Sequence, residues 1–280
     1  LLFIVLCFLA FPLAARSVLM EERRIQETDK GIIKVEKNEY DNKGAGESVE
    51  HHKITSKALA GCEWTLLPPS SPDALIYDAA VYDINRHRMV IYGGYSGSVH
   101  PDEVFALNLT EMKWEQLFCT GTKPLPRFMH CMAYDSANQQ MIVFGGYNVF
   151  EWISLTDTWA LDMNTLEWHQ LNPSGDPPQG MMNGRAIYDP VNQRMVYFGG
   201  ADDTIRYNDI YTLSLTPGSE AWTKLAFSDS LPAPRTRHSM IYDPILQRAI
   251  IFGGGSDSGR LKDLWSLDLT LGSESWTKLN

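Results

Sequence analysis

Positive charge is scarce in this 280-residue chain, in which 24 Lys and Arg residues stand against 34 Asp and Glu residues, for a formal net charge of −10. No stretch gathers basic residues into a cluster. The chain therefore lacks the electrostatic attraction on which nucleic-acid binders depend, and the polybasic segments that hold proteins on anionic membranes. We expect neither nucleic acid nor an anionic lipid surface as a partner.

Cysteine is also rare, with only Cys7, Cys62, Cys119 and Cys131 in the sequence. Cys7 lies in an apolar N-terminal run that a signal peptidase would remove. Three cysteines then remain, and an odd number cannot all form disulfides within one chain. Cys119 and Cys131 are candidates for a disulfide across the connection between two of the repeat units described below, and the alternative is that Cys131 is a buried core thiol. The sequence favours the buried thiol.

Catalytic signatures are missing as well. The sequence contains no Gly-x-Ser-x-Gly, no His-Glu-x-x-His, no phosphate-binding loop and no clustered metal ligands. The pair His51-His52 lies in a polar stretch and is expected to be solvated. We therefore predict no catalytic residue, no metal site and no cofactor, and the sequence favours a protein that is not an enzyme.

The apolar run at residues 1–15 has no starting Met before it, and Arg16 and Ser17 follow it. We interpret residues 1–17 as a signal peptide whose first residues are missing, with cleavage after Ala15 or Ser17. The alternative is an uncleaved membrane anchor, which is the one route by which we expect membrane association. The expected location is secreted or at the cell surface, or periplasmic in a bacterium.

Residues 18–60 are polar and poor in aromatics, which predicts a flexible linker because such a segment cannot bury enough apolar area to fold alone. Further on, Asn108-Leu109-Thr110 matches the N-glycosylation sequon, a candidate modification site in a eukaryotic secretory pathway.

The feature that decides the fold is an internal repeat. Gly pairs recur at spacings of 52, 54 and 54 residues, and each closes an apolar run such as MVIYGG. Eleven residues before each pair stands a Tyr followed by Asp, and six residues after each Tyr comes Arg or Gln. This spacing predicts a β-hairpin, with strands that we name a and b. The pairs are Gly93-Gly94, Gly145-Gly146, Gly199-Gly200 and Gly253-Gly254.

The second half of each unit repeats too. An acidic residue opens an alternating stretch such as DTWALDM, and a Trp follows after a turn, which predicts two further strands, c and d. We expect the Gly pair to end strand b where backbones pack too closely for a side chain, and the Trp to fill the space between neighbouring units. The repeated Trp residues are Trp64, Trp114, Trp168, Trp222 and Trp276.

These units resemble the kelch motif over about residues 62–280, with four matching repeats. The resemblance implies an all-β, kelch-type β-propeller in a domain at residues 61–280, with four-stranded blades at about residues 74–121, 126–173, 180–227 and 234–280. The chain departs from the pattern at the Arg-x-x-His of strand a. Only Arg127/His130 and Arg235/His238 match it, whereas Leu75/Asp78 and Met181/Gly184 take its place elsewhere.

The four visible blades are expected to be part of a longer ring, because the strand around Trp64 has no visible blade to complete. The resemblance implies six or seven blades, and a closed four-blade ring is the alternative. At the two matching strand-a sites the resemblance implies a structural role, with side chains hydrogen-bonded to loop backbone, in preference to a metal site.

Function in a propeller is expected in the loops at one end of the channel. The loops between strands b and c vary most, and the aromatic residues of the second are candidate contacts for a sugar or a protein. The tentative ligand-binding residues are Phe150, Trp152, Asp202, Asp203, Arg206, Asp257 and Arg260. The alternative for Phe150 and Trp152 is that the pair merely caps the blade. The alternative for the charged residues is that they form a solvated loop.

The predicted function is that of an exported, non-catalytic kelch propeller that binds a protein or a glycan through these loops. One alternative is a secreted carbohydrate-acting enzyme, of the oxidase or epimerase type found among kelch-like propellers, with its active site partly in missing sequence. Another is a cytosolic adaptor, if the apolar run is not a signal.

Overall fold

The structure is a computed structural model of the chain. It describes residues 23–27, 33–37, 72, 75–96, 101–148, 150–228 and 230–279. The leader predicted at residues 1–17, the strand predicted around Trp64 and the His51-His52 pair lie outside these residues. Within the described part, no helix is long and apolar enough to cross a bilayer.

The chain divides into two compact units, Leu1–Leu66 and Leu67–Asn280. In the first unit, strands β1 (Arg23–Glu27) and β2 (Ile33–Lys37) form an antiparallel hairpin. This hairpin lies within the segment predicted to be a linker, and the linker and domain boundaries remain predictions.

The second unit contains four blade sheets, in each of which strands a, b, c and d pair antiparallel in the spatial order a–b–c–d. The first blade is β3 (Ala79–Asp83), β4 (Arg88–Tyr92), β5 (Val104–Asn108) and β6 (Lys113–Leu117). The second is β8 (Cys131–Asp135), β9 (Gln140–Phe144), β12 (Thr158–Asp162) and β13 (Glu167–Leu171), and β7 (Thr120–Gly121) pairs in parallel with β13. Short hairpins β10 (Tyr147–Asn148) with β11 (Ile153–Ser154), and β20 (Gly255–Ser256) with β21 (Gly259–Arg260), lie between strands b and c of the second and fourth blades. The third blade is β14 (Arg185–Asp189), β15 (Arg194–Phe198), β16 (Ile210–Ser214) and β17 (Ala221–Leu225), and the fourth is β18 (Ser239–Asp243), β19 (Arg248–Phe252), β22 (Leu264–Asp268) and β23 (Ser275–Lys278).

The predicted all-β propeller architecture with four visible four-stranded blades is confirmed. The regular spacing of Tyr-Asp and Arg or Gln has a physical cause in the a–b turn. The carboxylate of Asp189 accepts hydrogen bonds from the Val191 and Asn192 backbone amides and from Arg194 Nε, the last at 3.0 Å. The Asp caps the turn, and the residue that opens strand b holds the Asp in place.

Neighbouring blades pack through an aromatic contact that repeats three times. The Trp of strand d in one blade lies against the last aromatic residue of strand b in the blade before it. The ring centroids are 5.1 Å apart for Trp168 and Tyr92, and 4.8 Å apart for Trp222 and Phe144. Burial of these large rings supplies much of the apolar area that holds blade to blade.

In the fourth blade, the face that carries the last aromatic residue of strand b is exposed among the described residues. Phe252, which ends strand b of that blade, is 51% exposed, whereas Phe144 and Phe198 at the same position are fully buried. Ile241 in strand a is 61% exposed, although Ile187 at the equivalent position is buried. This face therefore carries the apolar residues of a blade interface without a described blade against it.

Candidate functional site

Strands a and b are antiparallel, so the loop that follows strand b lies at the same end of the blade as the segment that precedes strand a. We call this end the loop face. Single backbone bridges join the two segments in each blade, as between Phe128 and Tyr147 or between Met182 and Ala201. The loop face is thus a hydrogen-bonded framework and not a set of independent loops.

The Gly pair that ends strand b allows the next blade to approach closely. The Gly146 amide donates a hydrogen bond to the Met181 carbonyl of the third blade at 2.9 Å. An added Cβ at Gly145, where φ is +69°, would lie 2.7 Å from that same carbonyl oxygen. A side chain at this position would therefore push the two blades apart, and the left-handed φ favours glycine as well.

A buried arginine joins the Gly pair to strand c in the second blade. Arg127 is 0% exposed, and its guanidinium donates two hydrogen bonds to the Asp157 carboxylate, at 2.7 and 2.9 Å, and others to the Leu125 and Gly145 carbonyls. The pKa of Asp157 is lowered, since these hydrogen bonds and the positive charge outweigh the effect of burial.

In the fourth blade, Arg235 makes the equivalent bidentate pair with Asp263, with both distances 2.8 Å. Hydrogen bonding to Arg235 lowers the pKa of Asp263 to about 2. In the third blade, where Met181 replaces the arginine, Asp209, which directly precedes strand c, pairs with Lys224 of strand d at 2.8 Å. Both arginines bond to loop backbone, which is the structural role that the family resemblance implies for them.

The histidines at these sites behave differently from the arginines. His130 and His238 are each 1% exposed, and neither ring nitrogen of either residue has a hydrogen-bond partner among the described residues. Each ring instead packs edge-on against the strand-b aromatic of the preceding blade, with centroids 5.6 Å apart for His130 and Tyr92 and 5.1 Å for His238 and Phe198. Desolvation and the nearby Arg127 lower the pKa of His130 to about 3, so the ring is neutral.

Within the described part of the chain, no three His, Cys, Asp or Glu residues come together as a metal would require. Cys119 and Cys131 are free thiols, and Cys131 is buried, with its thiol directed at the Phe144 carbonyl at 3.7 Å. Burial raises the pKa of the Cys119 thiol to about 11, because the thiolate is poorly solvated there.

Four residues, one from each blade, form what we call the inner rim. They stand five residues before the Tyr of strand a and share a left-handed φ between 56° and 59°. Three backbone hydrogen bonds link these residues from blade to blade. The amide of the rim residue in the second, third and fourth blade donates to the carbonyl of the rim residue in the preceding blade, at 3.0, 2.8 and 2.9 Å. The rim residues are Tyr77, Met129, Asn183 and Arg237.

Two cations at the rim have no carboxylate partner among the residues that the structure describes. The Arg237 guanidinium is exposed and lies over the Tyr77 ring, 5.4 Å from its centroid. Arg185 opens strand a of the third blade, and its only hydrogen bond among the described residues goes to the Gly184 carbonyl. Desolvation, with a further contribution from Arg237, lowers the pKa of Arg185. Such an arginine favours an anionic group brought by another molecule.

An aromatic cluster lies beside the rim, between the first and second blades. Phe128 is its centre, with ring centroids 6.1 Å from Tyr77 and 5.9 Å from both Tyr95 and Tyr147. All four rings are partly exposed. Partly exposed aromatic rings on a rigid framework are the kind of surface that carries binding energy in protein interfaces.

The two predicted aromatic contacts lie on the β10–β11 hairpin of the second blade. Phe150 is 61% exposed and Trp152 is 75% exposed, and Trp152 has a left-handed φ of 54°. Asn148 fixes the hairpin, because its side chain donates to the Pro126 carbonyl and accepts from the Glu151 amide. The ring of Trp152 is therefore held out into solvent by a braced turn, although such exposure carries a cost that a partner would remove.

The predicted charged residues divide into three groups. Asp202 braces its own loop by accepting hydrogen bonds from the Thr204 and Ile205 amides and from the Tyr207 hydroxyl. Arg206 of the third blade forms an ion pair with Asp257 of the fourth, which links two neighbouring loops. Asp203 and Arg260 are exposed. Among the described residues, the cations Arg185 and Arg237 at the inner rim also have no carboxylate partner, and the sequence analysis did not single them out.

Known proteins resemble this chain along most of its length. A family model described as the KLHDC2/KLHL20/DRC7 Kelch-repeats domain matches residues 44–189 and 136–280. Kelch domain-containing protein 10 of Xenopus tropicalis is 29% identical over 206 residues, 70% of this chain and 48% of that protein. The human protein of that name is 29% identical over 208 residues, 70% of this chain and 44% of its own length. Leucine-zipper-like transcriptional regulator 1 homolog of Drosophila melanogaster is 29% identical over 146 residues, half of this chain and 14% of that protein. The chain thus spans about half the length of the kelch domain-containing relatives it matches.

Proposed function

The chain belongs to the kelch-repeat family, and from that premise we propose that it is an exported, non-catalytic module that binds a protein partner through its loop face. The observation that carries this proposal is the β10–β11 hairpin, which holds Phe150 and Trp152 in solvent at 61% and 75% exposure. Large aromatic side chains presented on a rigid support are the residues that most often dominate protein interfaces.

The inner rim supports a second element of the proposal, a preference for an acidic segment in the partner. The chain as a whole is acidic, with a formal net charge of −10, yet no described carboxylate pairs with Arg185 or Arg237 at the rim. A carboxylate from the partner would gain charge-assisted hydrogen bonds there. The aromatic cluster around Phe128 offers apolar contact area next to these cations.

The first experiment places a photo-crosslinking phenylalanine analogue at position 152 and, as a matched control, at position 84. Ile84 is 61% exposed and lies in the turn between strands a and b of the first blade, at the end opposite the loop face. In an exported protein sample from the source cells, we expect protein adducts at position 152 and none at position 84. Equal adduct formation at the two positions would remove the loop face as the binding surface.

A second experiment measures the affinity of the crosslinked partner for chains with point substitutions. We expect Trp152→Ala and Arg237→Ser each to weaken binding at least about tenfold, as interface anchors do, without lowering the free energy of unfolding. Ile84→Ala should leave affinity unchanged. If instead Trp152→Ala abolishes binding to an oligosaccharide array and the chain captures no protein, the partner is a glycan and the proposal of a protein partner fails.

Export is the part of the proposal that rests on the apolar run at residues 1–15. We expect the mature protein from the medium or the cell surface to begin at Arg16 or Val18, as read by N-terminal sequencing. A protein that keeps the apolar run and sediments with membranes would be anchored. A protein found only in the cytosol would overturn export and favour the adaptor alternative.

A further inference from the structure

A single N-glycosylation sequon stands in this sequence, at Asn108-Leu109-Thr110. The triplet Asn172-Pro173-Ser174 has the right outer residues, but its central proline excludes it. Asn108 is the last residue of strand c in the first blade. The turn that follows strand c lies at the end of the blade opposite the loop face, because successive strands are antiparallel.

In each blade, the residue at this position accepts a hydrogen bond that closes the c–d turn. Asn108 Oδ1 accepts from the Thr110 and Glu111 amides at 2.9 and 3.0 Å. Asp162 makes the same pair of bonds in the second blade, and Asp268 accepts from the Thr270 amide in the fourth. The fold therefore requires an acceptor here and is satisfied by Asp, so the amide nitrogen of Asn108 is surplus to the turn.

Asn108 is partly exposed, and its Nδ2 is not among the buried side-chain atoms that lack a partner in the described residues. Asn108 Nδ2 has no hydrogen bond within the described residues, while Oδ1 takes both turn bonds. Thr110 is exposed, Met112 is 41% exposed, and the side chains of Lys113 and Glu111 are 70% and 60% exposed. A sugar attached at Nδ2 would replace one hydrogen, leave the turn intact and extend into solvent.

We propose that Asn108 is N-glycosylated, so that the first blade carries an oligosaccharide on the end of the propeller opposite the loop face. In the transfer, Nδ2 forms a bond to the anomeric carbon of a lipid-linked oligosaccharide. The bond from that carbon to the pyrophosphate oxygen breaks, the lipid pyrophosphate leaves with the electron pair, and Nδ2 gives up one proton to a base of the transferase. The inference rests on the proposed export, because the donor lipid is met only by an exported chain.

The fourth blade supplies a matched control, because Asp268-Leu269-Thr270 differs from the sequon by one residue. The full chain, Asn108→Asp, Thr110→Ala and Asp268→Asn are each expressed in cultured animal cells and treated with an amidase that removes N-linked glycans. We expect one mobility shift for the full chain, none for Asn108→Asp or Thr110→Ala, and two for Asp268→Asn. After treatment, peptide mass spectrometry should find Asp at position 108.

The Asp268→Asn chain separates the two ways in which the inference fails. If that chain carries one glycan at position 268 and the unchanged chain carries none, the protein is exported and Asn108 is not a modification site. If neither chain carries a glycan, export itself fails and the inference fails with it. Asn108→Asp keeps the acceptor that the turn requires, so loss of the shift in that variant does not reflect misfolding.

Discussion

Tyr197 occupies the space above Gly184 in the third blade, where an added Cβ would collide with the tyrosine hydroxyl. Gly184 stands where the second and fourth blades have His130 and His238. The Tyr197 ring packs edge-on against Phe144 at 5.4 Å, much as the histidines pack against the preceding blades. The third blade therefore keeps the ring-on-ring contact although it lacks the histidine of the repeat.

Because the Tyr197 ring fills the space that a side chain at position 184 would need, we expect the effects of substitutions at positions 184 and 197 on stability to be strongly coupled. Gly184→His should destabilise the chain by about 1–3 kcal/mol, because the imidazole overpacks a space that the tyrosine fills. Tyr197→Ile, which gives the residue that the fourth blade has at position 251, should also destabilise it. The double variant should be more stable than the sum of the two changes predicts in urea unfolding. Additive effects would mean that the two side chains do not share one space.

The open face of the fourth blade predicts unequal effects at equivalent phenylalanines. Phe198→Ala should cost about 3–5 kcal/mol, because the ring is fully buried between blades. Phe252→Ala removes a ring that is 51% exposed and should cost less than about 2 kcal/mol. Denaturant unfolding of the 280-residue chain measures both. Equal costs would show that Phe252 is covered in solution.

The ion pair of Arg127 with Asp157 predicts that a second substitution can restore stability lost when the arginine is removed. Arg127→Met copies the residue of the third blade and leaves Asp157 without its cation, at an expected cost of about 2–4 kcal/mol. Gln170 occupies the strand-d position at which the third blade has Lys224. Adding Gln170→Lys should therefore recover part of the loss. No recovery at low salt would contradict an electrostatic origin for the loss.

The buried histidines predict that stability falls as the solution becomes acidic. The pKa values of His130 and His238 are lowered to about 3, chiefly by desolvation, whereas an unfolded histidine titrates near about 6.5. Between these pH values the unfolded chain binds more protons, so the free energy of unfolding should fall as pH drops from about 7 to about 4. Urea unfolding across that range measures the slope, and His238→Asn should reduce it. An unchanged slope would place the titration elsewhere.

We expect a further loss of folding stability at lower pH, from the Asp263–Arg235 pair. The pKa of Asp263 is lowered to about 2 by its hydrogen bonds to Arg235, below the usual value of 3.8. Its contribution to stability is present above about pH 4 and is lost as pH falls through about 2. Asp263→Asn should leave the histidine slope unchanged and remove only this later loss. A change in slope above about pH 5 in that variant would contradict the assignment.

The strands and the blade order were predictable because each depends on local chemistry that repeats. The Tyr-Asp and Arg or Gln spacing encodes a capped hairpin, and the c-strand leucines alternate inward to meet the Trp of strand d, as Leu161 meets Trp168. Each of these signals lies within a few residues or within one hairpin. A period of 52–54 residues makes them visible four times.

The inner rim was missed because its signal is conformational and not compositional. Tyr77, Met129, Asn183 and Arg237 share no chemical property, and only their fixed distance from the strand-a Tyr marks them. The role of Asp202 was unpredictable for another reason, since sequence does not distinguish a carboxylate that braces its own loop from one that faces a ligand.

The inner rim has a consequence for how such a surface changes over time. Its blade-to-blade bonds join backbone amides to backbone carbonyls, so they do not depend on which side chain each residue carries. Tyrosine, methionine, asparagine and arginine occupy the four equivalent places with the same geometry. In a propeller built this way, the side chains of the inner rim can be replaced one at a time while the backbone architecture stays fixed. One scaffold can therefore evolve to bind different partners.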